Sequence, residues 1–254
     1  MSPAMSPVPA SSAPDPPDAP VPVVITIDGP AGTGKSTVAR RLAARLGLDH
    51  LDTGAMYRAA ALLARERGID PDDGPAIAAA LREEGMDFDW SHDPPRVRLG
   101  DRDVSDRIRD LDVSRTVSRV AAQRVVRDVL TEWQRAIGRE HPRLVTEGRD
   151  QGSAVFPDAV VRFYLDADTD VRAGRRARQM AESGRSVDLE AIRDDIRRRD
   201  ELDQRRTDAP LVRPEGAVEV DTSDRGIDEV VDEMVAVVEA AVPALRTMRE
   251  GRRS

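Results

Sequence analysis

The chain has 254 residues, of which 39% are apolar and 34% are charged, so it can form one α/β domain with a small insertion or two small domains. Its formal net charge of −8 argues against a surface that binds nucleic acid or an anionic membrane, because phosphate polymers would be repelled. The absence of cysteine excludes disulfides, thiolate zinc sites and cysteine nucleophiles. No apolar run approaches the roughly 20 residues that span a bilayer. We therefore expect a cytoplasmic protein with neither nucleic-acid nor membrane partners.

The first 22 residues are rich in proline. They hold eight of the 18 prolines of the chain, interleaved with alanine and serine. They lack the basic start and the apolar stretch of a secretory signal. We interpret them as a disordered tail. The alternative is that translation begins at Met5 or at a later site.

Strands and helices alternate along the rest of the chain. Residues 23–27 are a short β-branched apolar run, which is typical of a strand buried on both faces of a parallel sheet. Further strands are predicted at 86–90, 96–99, 103–104, 144–146, 160–165 and 217–220. Helices are predicted at 35–46, 54–67, 75–84, 120–140, 169–182, 188–206 and 226–249. Because such strands are joined by right-handed crossovers, this order predicts an α/β fold, with a parallel sheet covered by helices on both faces.

Between residues 68 and 118 the pattern changes to a short helix followed by short alternating strands. We interpret this stretch as a small α/β insertion into a core formed by residues 23–67 and 119–254. In a parallel sheet, ligands bind beyond the carboxyl ends of the strands. A glycine-rich loop follows the first strand, and Glu147-Gly148-Arg149-Asp150 closes a later one. We therefore expect the loop and the turn to share one cleft.

The glycine-rich loop matches the pattern GxxxxGK[ST] over residues 29–36. In such a P-loop, backbone N–H groups wrap the β-phosphate of a nucleotide, Lys35 reaches the β- and γ-oxygens, and the Ser36 hydroxyl binds Mg²⁺. Lys35 is the only lysine, beside 38 arginines, which indicates a site that needs a compact ammonium group. The alternative is that codon bias removed the other lysines and one survived here by chance. The predicted ATP-binding residues are Gly29, Pro30, Ala31, Gly32, Thr33, Gly34, Lys35, Ser36 and Thr37.

Three groups of basic residues are candidates for binding phosphate. Arg58 lies in the first turns of a helix with Thr53 as its expected N-cap, and helix N-termini attract phosphate. The other two groups each share one helix face: Arg172, Arg175 and Arg176, and Arg199, Asp203 and Arg206. The alternative for Arg58 is an ordinary capped helix with a surface arginine. For the second group it is a solvated arginine-rich helix, and for the third it is internal Asp–Arg pairing on an exposed helix.

Together, these motifs resemble those of the bacterial cytidylate kinases, within the nucleoside monophosphate kinases. The resemblance runs from about Val23 to the C-terminal helix and rests on residues 25–30, 51–58, 147–150 with 155–159, and 199–200 through 209–211. It implies a P-loop core, an acceptor-binding insertion at 68–118 and an arginine-rich lid near 172–187. Gln151 and Ser153 depart from the family, which more often has Ile and Thr at these positions.

The resemblance also implies ATP as phosphoryl donor, CMP or dCMP as acceptor, and Mg²⁺ as cofactor; we expect a monomer. It implies that the cytosine is contacted or closely surrounded by Thr53, Ser118, Arg127 and Asp150, with Tyr57 as a further substrate-binding residue. By the same resemblance, the acceptor phosphate is held by Arg58, Arg149 and Arg206, and the ribose by Arg199 and Asp203. Cytosine offers an amino donor beside two acceptors, and a carboxylate together with cationic or hydroxyl donors complements that pattern.

The expected mechanism needs no general base, because the acceptor is already a phosphate oxyanion at neutral pH. Catalysis would consist of positioning and of charge neutralisation by Lys35, Mg²⁺, Arg149 and the lid residues Arg172, Arg175 and Arg176. Ser36 is expected to reach the metal directly, and Asp52 or Glu147 through water. The three histidines, His50, His92 and His141, lie far apart in the sequence and lack metal-ligand spacing, so each is expected on the surface or in a loop.

Three alternatives are weaker. A regulatory GTP switch needs an Asn-Lys-x-Asp motif, and the chain has no second lysine. A small-molecule kinase of the shikimate kind would share the P-loop but not the insertion or the Glu-Gly-Arg-Asp turn. An enzyme acting on nucleic acid would be expected to show a broad basic face.

Overall fold

The computed structural model describes residues 22–182, 187–206 and 209–246. The predicted tail lies outside the described residues except for its last residue. Four residues of the predicted lid, 183–186, and the end of the last predicted helix also lie outside them.

The described residues form alternating strands and helices. In chain order the strands are β1 (Val23–Asp28), β2 (Asp49–Asp52), β3 (Met86–Asp89), β4 (Arg96–Leu99), β5 (Arg102–Asp103), β6 (Arg143–Glu147), β7 (Val161–Asp166) and β8 (Val218–Asp221). The α-helices are α1 (Lys35–Leu46), α2 (Thr53–Glu66), α3 (Gly74–Glu84), α4 (Leu111–Ala122), α5 (Arg124–Glu140), α6 (Thr169–Glu182), α7 (Leu189–Gln204) and α8 (Ile227–Ala241). Short helical turns cover Arg107–Arg109 and Gln151–Val155, the latter with π-helical geometry.

The main sheet is parallel and has the strand order β2-β6-β1-β7-β8. Its two faces are covered by different helices. Ile25 of β1 and Val145 of β6 belong to a buried apolar cluster with α1 and α8. Leu144, which points to the opposite face of β6, belongs to a second cluster with α2 and α5. The predicted parallel sheet with helices on both faces is therefore confirmed.

The predicted insertion contains a second, antiparallel sheet in the order β3-β4-β5. Its Phe88 and Val97 are buried in the same apolar cluster as α2. α2 is enclosed on all sides: every residue from 59 to 64, Ala-Ala-Ala-Leu-Leu-Ala, is at most 1% exposed. The small alanine side chains allow α3, α4 and β4 to pack closely around this helix.

The structure differs from the predicted elements in three places. The helix expected at 120–140 is two helices, because Gln123 is extended and the N-terminus of α3 packs against the break; a β-carbon on Gly74 would lie 2.9 Å from Val125. β2 was not predicted, since a four-residue edge strand with Asp at both ends gives almost no apolar pattern. The last helix breaks at Val242, which precedes a proline and is therefore disfavoured in the α conformation.

Among the described residues, no helix combines the length and the apolarity required to span a bilayer.

Candidate active site

Each strand of the parallel sheet ends on an acidic residue. In sheet order these residues are Asp52, Glu147, Asp28, Asp166 and Asp221. The P-loop follows β1 and the Glu-Gly-Arg-Asp turn follows β6, the strand directly beside it, so both begin at this acidic edge. An anionic ligand bound here therefore requires basic side chains between the carboxylates.

The P-loop is tightly fitted between β1 and α1. Gly29 has a φ of +147°, and a β-carbon there would lie 2.0 Å from the carbonyl oxygen of Leu165 on β7, so only glycine fits. The loop ends at Gly34, whose left-handed backbone leads into α1. The N-terminus of α1 thus points its free N–H groups at the edge of the sheet, where phosphate binds best.

Lys35 lies inside the loop and is only 6% exposed. Its ammonium donates to the carbonyl oxygen of Pro30 at 2.7 Å, and the Thr33 hydroxyl donates to the same oxygen at 3.2 Å. Burial, and then the neighbouring Arg149 guanidinium, hold the pKa of Lys35 well below its usual range. A polyphosphate at this position would favour the protonated form.

The back of the P-loop is held by residues far along the chain. Arg172 on α6 donates to the carbonyl oxygen of Ala31 at 3.1 Å and to Asp200 on α7 at 2.6 Å. The hydroxyl of Thr222, just after β8, donates toward the carbonyl oxygen of Thr33 at 3.0 Å. Arg175 in turn donates to the Thr222 hydroxyl and carbonyl oxygens. Two of the three predicted lid arginines therefore support the loop from α6, and the sequence did not reveal their partners.

Glu147, the last residue of β6, is buried, and its Oε1 has no hydrogen-bond partner among the described residues. Burial, and then the Asp52 carboxylate, raise the pKa of Glu147 above its usual range; Lys35 and a hydrogen bond from the Ser36 hydroxyl oppose this shift. The Ser36 hydroxyl and Glu147 Oε1 are suitable groups for a hydrated Mg²⁺, because this ion takes oxygen ligands and keeps several of its waters. Within the described residues, no cluster of three acidic or histidine side chains could hold a metal.

Arg58 lies at the same edge, next to the first turn of α2. It donates to Asp52 Oδ2 at 2.8 Å, while Asp52 Oδ1 accepts from the backbone N–H of Ala55 at 3.0 Å. Asp52 is therefore the N-cap of α2, and the expected cap Thr53 was wrong; the Thr53 hydroxyl instead donates to the carbonyl oxygen of Glu147 at 2.7 Å. Both Asp52 oxygens are occupied, which favours Glu147 over Asp52 as the water-mediated metal contact.

The residues expected near the base form a buried cluster. Arg127 on α5 donates to Asp150 Oδ2 at 2.8 Å, and both side chains are less than one-tenth exposed. Tyr57 shares a hydrogen bond with Arg127, and burial, with Asp150 nearby, raises the pKa of its hydroxyl well above the usual range. Ser118 is half-buried on α4, the helix that directly precedes α5.

The remaining predicted residues divide into two groups. Asp203 on α7 accepts from Arg149 Nε at 3.0 Å and from Arg206, so one carboxylate holds two arginines together. Arg199 pairs instead with Asp195 at 2.9 Å on its own helix. The Asp203–Arg206 and Arg199–Asp195 contacts are both local Asp–Arg pairs, three and four residues apart, which is the alternative that the spacing left open. The assignment of Arg199, Asp203 and Arg206 to the substrate stays a prediction.

A family model described as cytidylate kinase matches residues 25–240, which is most of the chain. The chain belongs to the cytidylate kinase family. It is 46% identical over 219 residues to a cytidylate kinase of Nocardia farcinica, covering 85% of this chain and 94% of that relative. It is 45% identical over 221 residues to one of Corynebacterium glutamicum, covering 86% and 95%. A cytidylate kinase of Geobacter sulfurreducens is 41% identical over 216 residues, covering 85% and 92%.

This membership makes the chain a phosphotransferase, and the family predicted from the motifs is confirmed. The alternatives of a GTP switch and a shikimate-type kinase are set aside.

This cytidylate kinase family member also contains a buried network that the sequence did not reveal. Asp28 accepts from the backbone N–H groups of Gln151 and Gly152, at 2.8 and 2.7 Å. The Gln151 side chain accepts from the Thr146 hydroxyl at 2.9 Å and donates to Gln134 at 3.0 Å. The available sequence signal was an acidic residue placed directly between an apolar strand and the P-loop.

The three histidines lie close together around Trp90. His50 and His92 line a groove of about 190 Å³ that also includes Trp90. The ring of His141 stacks on Trp90 with centroids 3.9 Å apart. The expectation of a surface or loop position was wrong for His50, which is 7% exposed on β2 and has no partner for either ring nitrogen among the described residues.

Proposed function

We propose that this chain transfers the γ-phosphoryl group of ATP to CMP, giving ADP and CDP, with dCMP as a second acceptor and Mg²⁺ as the cofactor. The adjacency of β1 and β6 carries the proposal. Ile27 pairs with Glu147 in register, so the loop that holds a triphosphate and the turn that holds Arg149 and Asp150 start side by side. Family membership supports the choice of cytidylate as the acceptor.

In the transfer, an oxygen of the acceptor phosphate forms a bond to the γ-phosphorus of ATP. The bond from that phosphorus to the β,γ-bridging oxygen breaks, and ADP leaves with the electron pair. Because the acceptor oxygen is already ionised, no residue has to remove a proton. The work of the protein is to align the two phosphates and to neutralise the charge that spreads over the equatorial oxygens.

Lys35 and the N–H groups at the start of α1 bind the triphosphate. The Lys35 ammonium would exchange its contact with the Pro30 carbonyl for the β- and γ-oxygens. The Ser36 hydroxyl would hold Mg²⁺, with Glu147 behind a water molecule. When bound, the ion neutralises charge on the β- and γ-phosphates.

The acceptor phosphate is assigned to Arg58, Arg149 and Arg206. Among the described residues, Asp203 accepts from both Arg149 and Arg206, so one carboxylate is shared by two positive charges, and the excess favours an acceptor phosphate. Asp203 and Arg199 are assigned to the ribose, which requires Arg199 to leave its contact with Asp195. Because this assignment does not single out the 2′-position, we expect both CMP and dCMP to be used.

The base is assigned to Asp150 and Arg127, with Thr53, Tyr57 and Ser118 around them. Arg127 donates to Oδ2 of Asp150, and we assign Oδ1 to accept from the N4 amino group of cytosine. Uracil has a carbonyl oxygen there, so two acceptors would face each other.

The arginines of the predicted lid are assigned to the γ-phosphoryl group while it is transferred. Because Arg172 supports the P-loop backbone, Arg176 is the residue of this helix from which we expect a contact with that group. A monomeric state and a cytoplasmic location stay predictions.

The test is a coupled ADP-release assay with CMP, dCMP, UMP, AMP and shikimate as acceptors, with and without Mg²⁺. CMP and dCMP should give the highest kcat/KM, and Lys35→Ala should abolish the signal. Faster turnover of AMP or shikimate than of CMP would overturn the proposal.

A further inference from the structure

We propose that Asp28 is a positioning residue that sets the acceptor-site turn against the P-loop. This inference rests on the proposed phosphoryl transfer and adds a residue to it. Asp28 ends β1 and directly precedes Gly29, the first residue of the P-loop. Its carboxylate holds the two backbone N–H groups that directly follow Arg149 and Asp150.

The contact is geometrically complete. Oδ1 accepts from Gln151 at 2.8 Å and Oδ2 from Gly152 at 2.7 Å, so both oxygens are used. The turn over Gln151–Val155 is π-helical, and the first N–H groups of any helical turn lack partners within it. Asp28 therefore acts as the N-terminal cap of this turn, although it lies more than 120 residues earlier in the chain.

The turn over Gln151–Val155 is held in place on several sides. A β-carbon on Gly152 would lie 2.7 Å from the Thr26 hydroxyl oxygen, so the turn lies directly on β1. The Gln151 side chain is also tied to Thr146 of the neighbouring strand β6 and to Gln134 of α5. Asp28 itself is fixed, because the following Gly29 packs on the backbone of β7. A shift of the carboxylate would therefore move the turn, and with it Arg149 and Asp150.

The negative charge of Asp28 also lies between the P-loop lysine and the acceptor-site turn. The side chain is fully buried, and its two oxygens accept from backbone N–H groups. Burial raises its pKa to about 6, while the two N–H groups and the Lys35 ammonium favour the ionised form. A buried carboxylate at such a position is costly to stability, and groups of this kind are concentrated at functional sites. An asparagine would be neutral and could replace only one of the two carboxylate oxygens with an acceptor, so an NH2 donor would face the other N–H group.

The test compares Asp28→Asn with Asp221→Asn. Asp221 ends β8, is exposed, and also accepts two hydrogen bonds, from the N–H and hydroxyl of Ser223 at 2.8 and 2.7 Å. Asp28→Asn should lower kcat/KM for CMP by about 100-fold, because small displacements of positioned groups have effects of this size. The Kd of ATP should stay within about 3-fold, since the P-loop residues are unchanged. Asp221→Asn should match the wild type.

The decisive measurement is the ratio of kcat/KM for CMP to that for UMP. If Asp28 positions Asp150, the ratio should fall toward 1 in Asp28→Asn. A merely structural role would reduce the amount of active enzyme and leave the ratio unchanged, and that result would overturn the inference. Asp28→Glu keeps the charge but lengthens the side chain, so it should give an intermediate ratio.

If neither Asp28→Asn nor Asp28→Glu folds, the wild-type protein provides the test. Binding of Mg²⁺–ATP alone should slow hydrogen exchange at the Gln151 and Gly152 amides, and unchanged exchange would overturn the inference. Failure of the wild type to phosphorylate CMP would instead reject the proposed function. If the wild type phosphorylates CMP and Asp28→Asn behaves like Asp221→Asn, the positioning role of Asp28 is rejected and the proposed function stands.

Discussion

The Lys35 ammonium and the Pro30 carbonyl oxygen lie 2.7 Å apart within the same loop. The contact is buried, and the Thr33 hydroxyl competes for the same oxygen. A triphosphate therefore has to attract the ammonium away from a neutral acceptor, which is favourable because a charged partner makes the stronger hydrogen bond. The space around the amino group is enclosed, and this limits which cation can take its place.

We expect Lys35→Arg to lower kcat by at least about 100-fold, although it keeps the positive charge. A planar guanidinium is too broad for a site that is 6% exposed. The control is Arg45→Lys on the same helix, where an exposed arginine pairs with Asp232 of α8. That variant should keep the kcat of the wild type, and a Lys35→Arg enzyme with near-normal turnover would contradict the argument from the single lysine.

Arg172→Ala and Arg176→Ala should have different effects. Loss of Arg172, which is itself buried, leaves the partly buried Asp200 without this partner and frees the carbonyl oxygen of Ala31. Breaking a buried pair of this kind costs about 3 kcal/mol, so the melting temperature should fall by roughly 6–12 °C. Arg176→Ala should instead lower kcat and leave CMP binding intact, because a transition-state contact is removed.

Thermal unfolding and steady-state kinetics of both variants check this expectation. Arg193→Ala is the control, because Arg193 also joins α7 to α6, through Asp170, but at the surface. It should change the melting temperature only slightly. An Arg172→Ala enzyme that is as stable as Arg193→Ala, or an Arg176→Ala enzyme that loses CMP affinity but keeps kcat, would contradict the division of roles.

UMP should be a poorer substrate than CMP by roughly 10- to 100-fold in kcat/KM, since its carbonyl oxygen would face the Asp150 carboxylate. Asp150→Asn should narrow this gap by losing CMP activity faster than UMP activity. The Arg127–Asp150 pair gives the competing outcome a structural basis. If Asp150→Asn lowered both activities in equal proportion, Asp150 would be acting by positioning Arg127 and not by reading the base.

The stability of the fold should depend on pH through Asp28. Burial raises the pKa of its carboxyl from 3.8 to about 6, so the folded protein binds this proton more tightly than the unfolded chain does. The resulting stabilisation is complete below pH 3.8 and is lost as the pH rises through 6. The wild type should therefore lose about 1 kcal/mol relative to Asp28→Asn between pH 5 and pH 7.5.

Urea unfolding of both proteins at the two pH values measures this difference. Because every other titrating group is shared, the comparison isolates residue 28. A difference that is the same at both pH values, or that changes in the opposite direction, would show that the carboxyl has an ordinary pKa in the folded state.

The sequence was sufficient to predict the elements that carry the site. The apolar run of β1, the glycines of the P-loop and the Glu-Gly-Arg-Asp turn each have a local signal, because backbone geometry requires particular residue types at those points. The rule that ligands bind at the carboxyl ends of parallel strands then brought the loop and the turn together correctly.

The partners of those elements were not predictable in the same way. Thr222 supports the P-loop from 189 positions away, and Asp200 binds Arg172 across two helices. A threonine or an aspartate has no spacing or periodicity that marks such a contact. β2 was missed for a different reason. It is only four residues long and begins and ends with aspartate, so it has almost no apolar pattern to mark it as a strand.

The alanine-rich segment at 59–64 has a consequence for attempts to change the acceptor of this enzyme. Because those side chains fill the space between α2 and the segment 68–118, the two surfaces have to be complementary atom by atom. A segment transplanted from another kinase would meet alanines where its own framework has different volumes, leaving either voids or clashes. We therefore expect acceptor choice to respond to single substitutions that line the cleft, and exchange of the whole segment to require exchange of α2 with it.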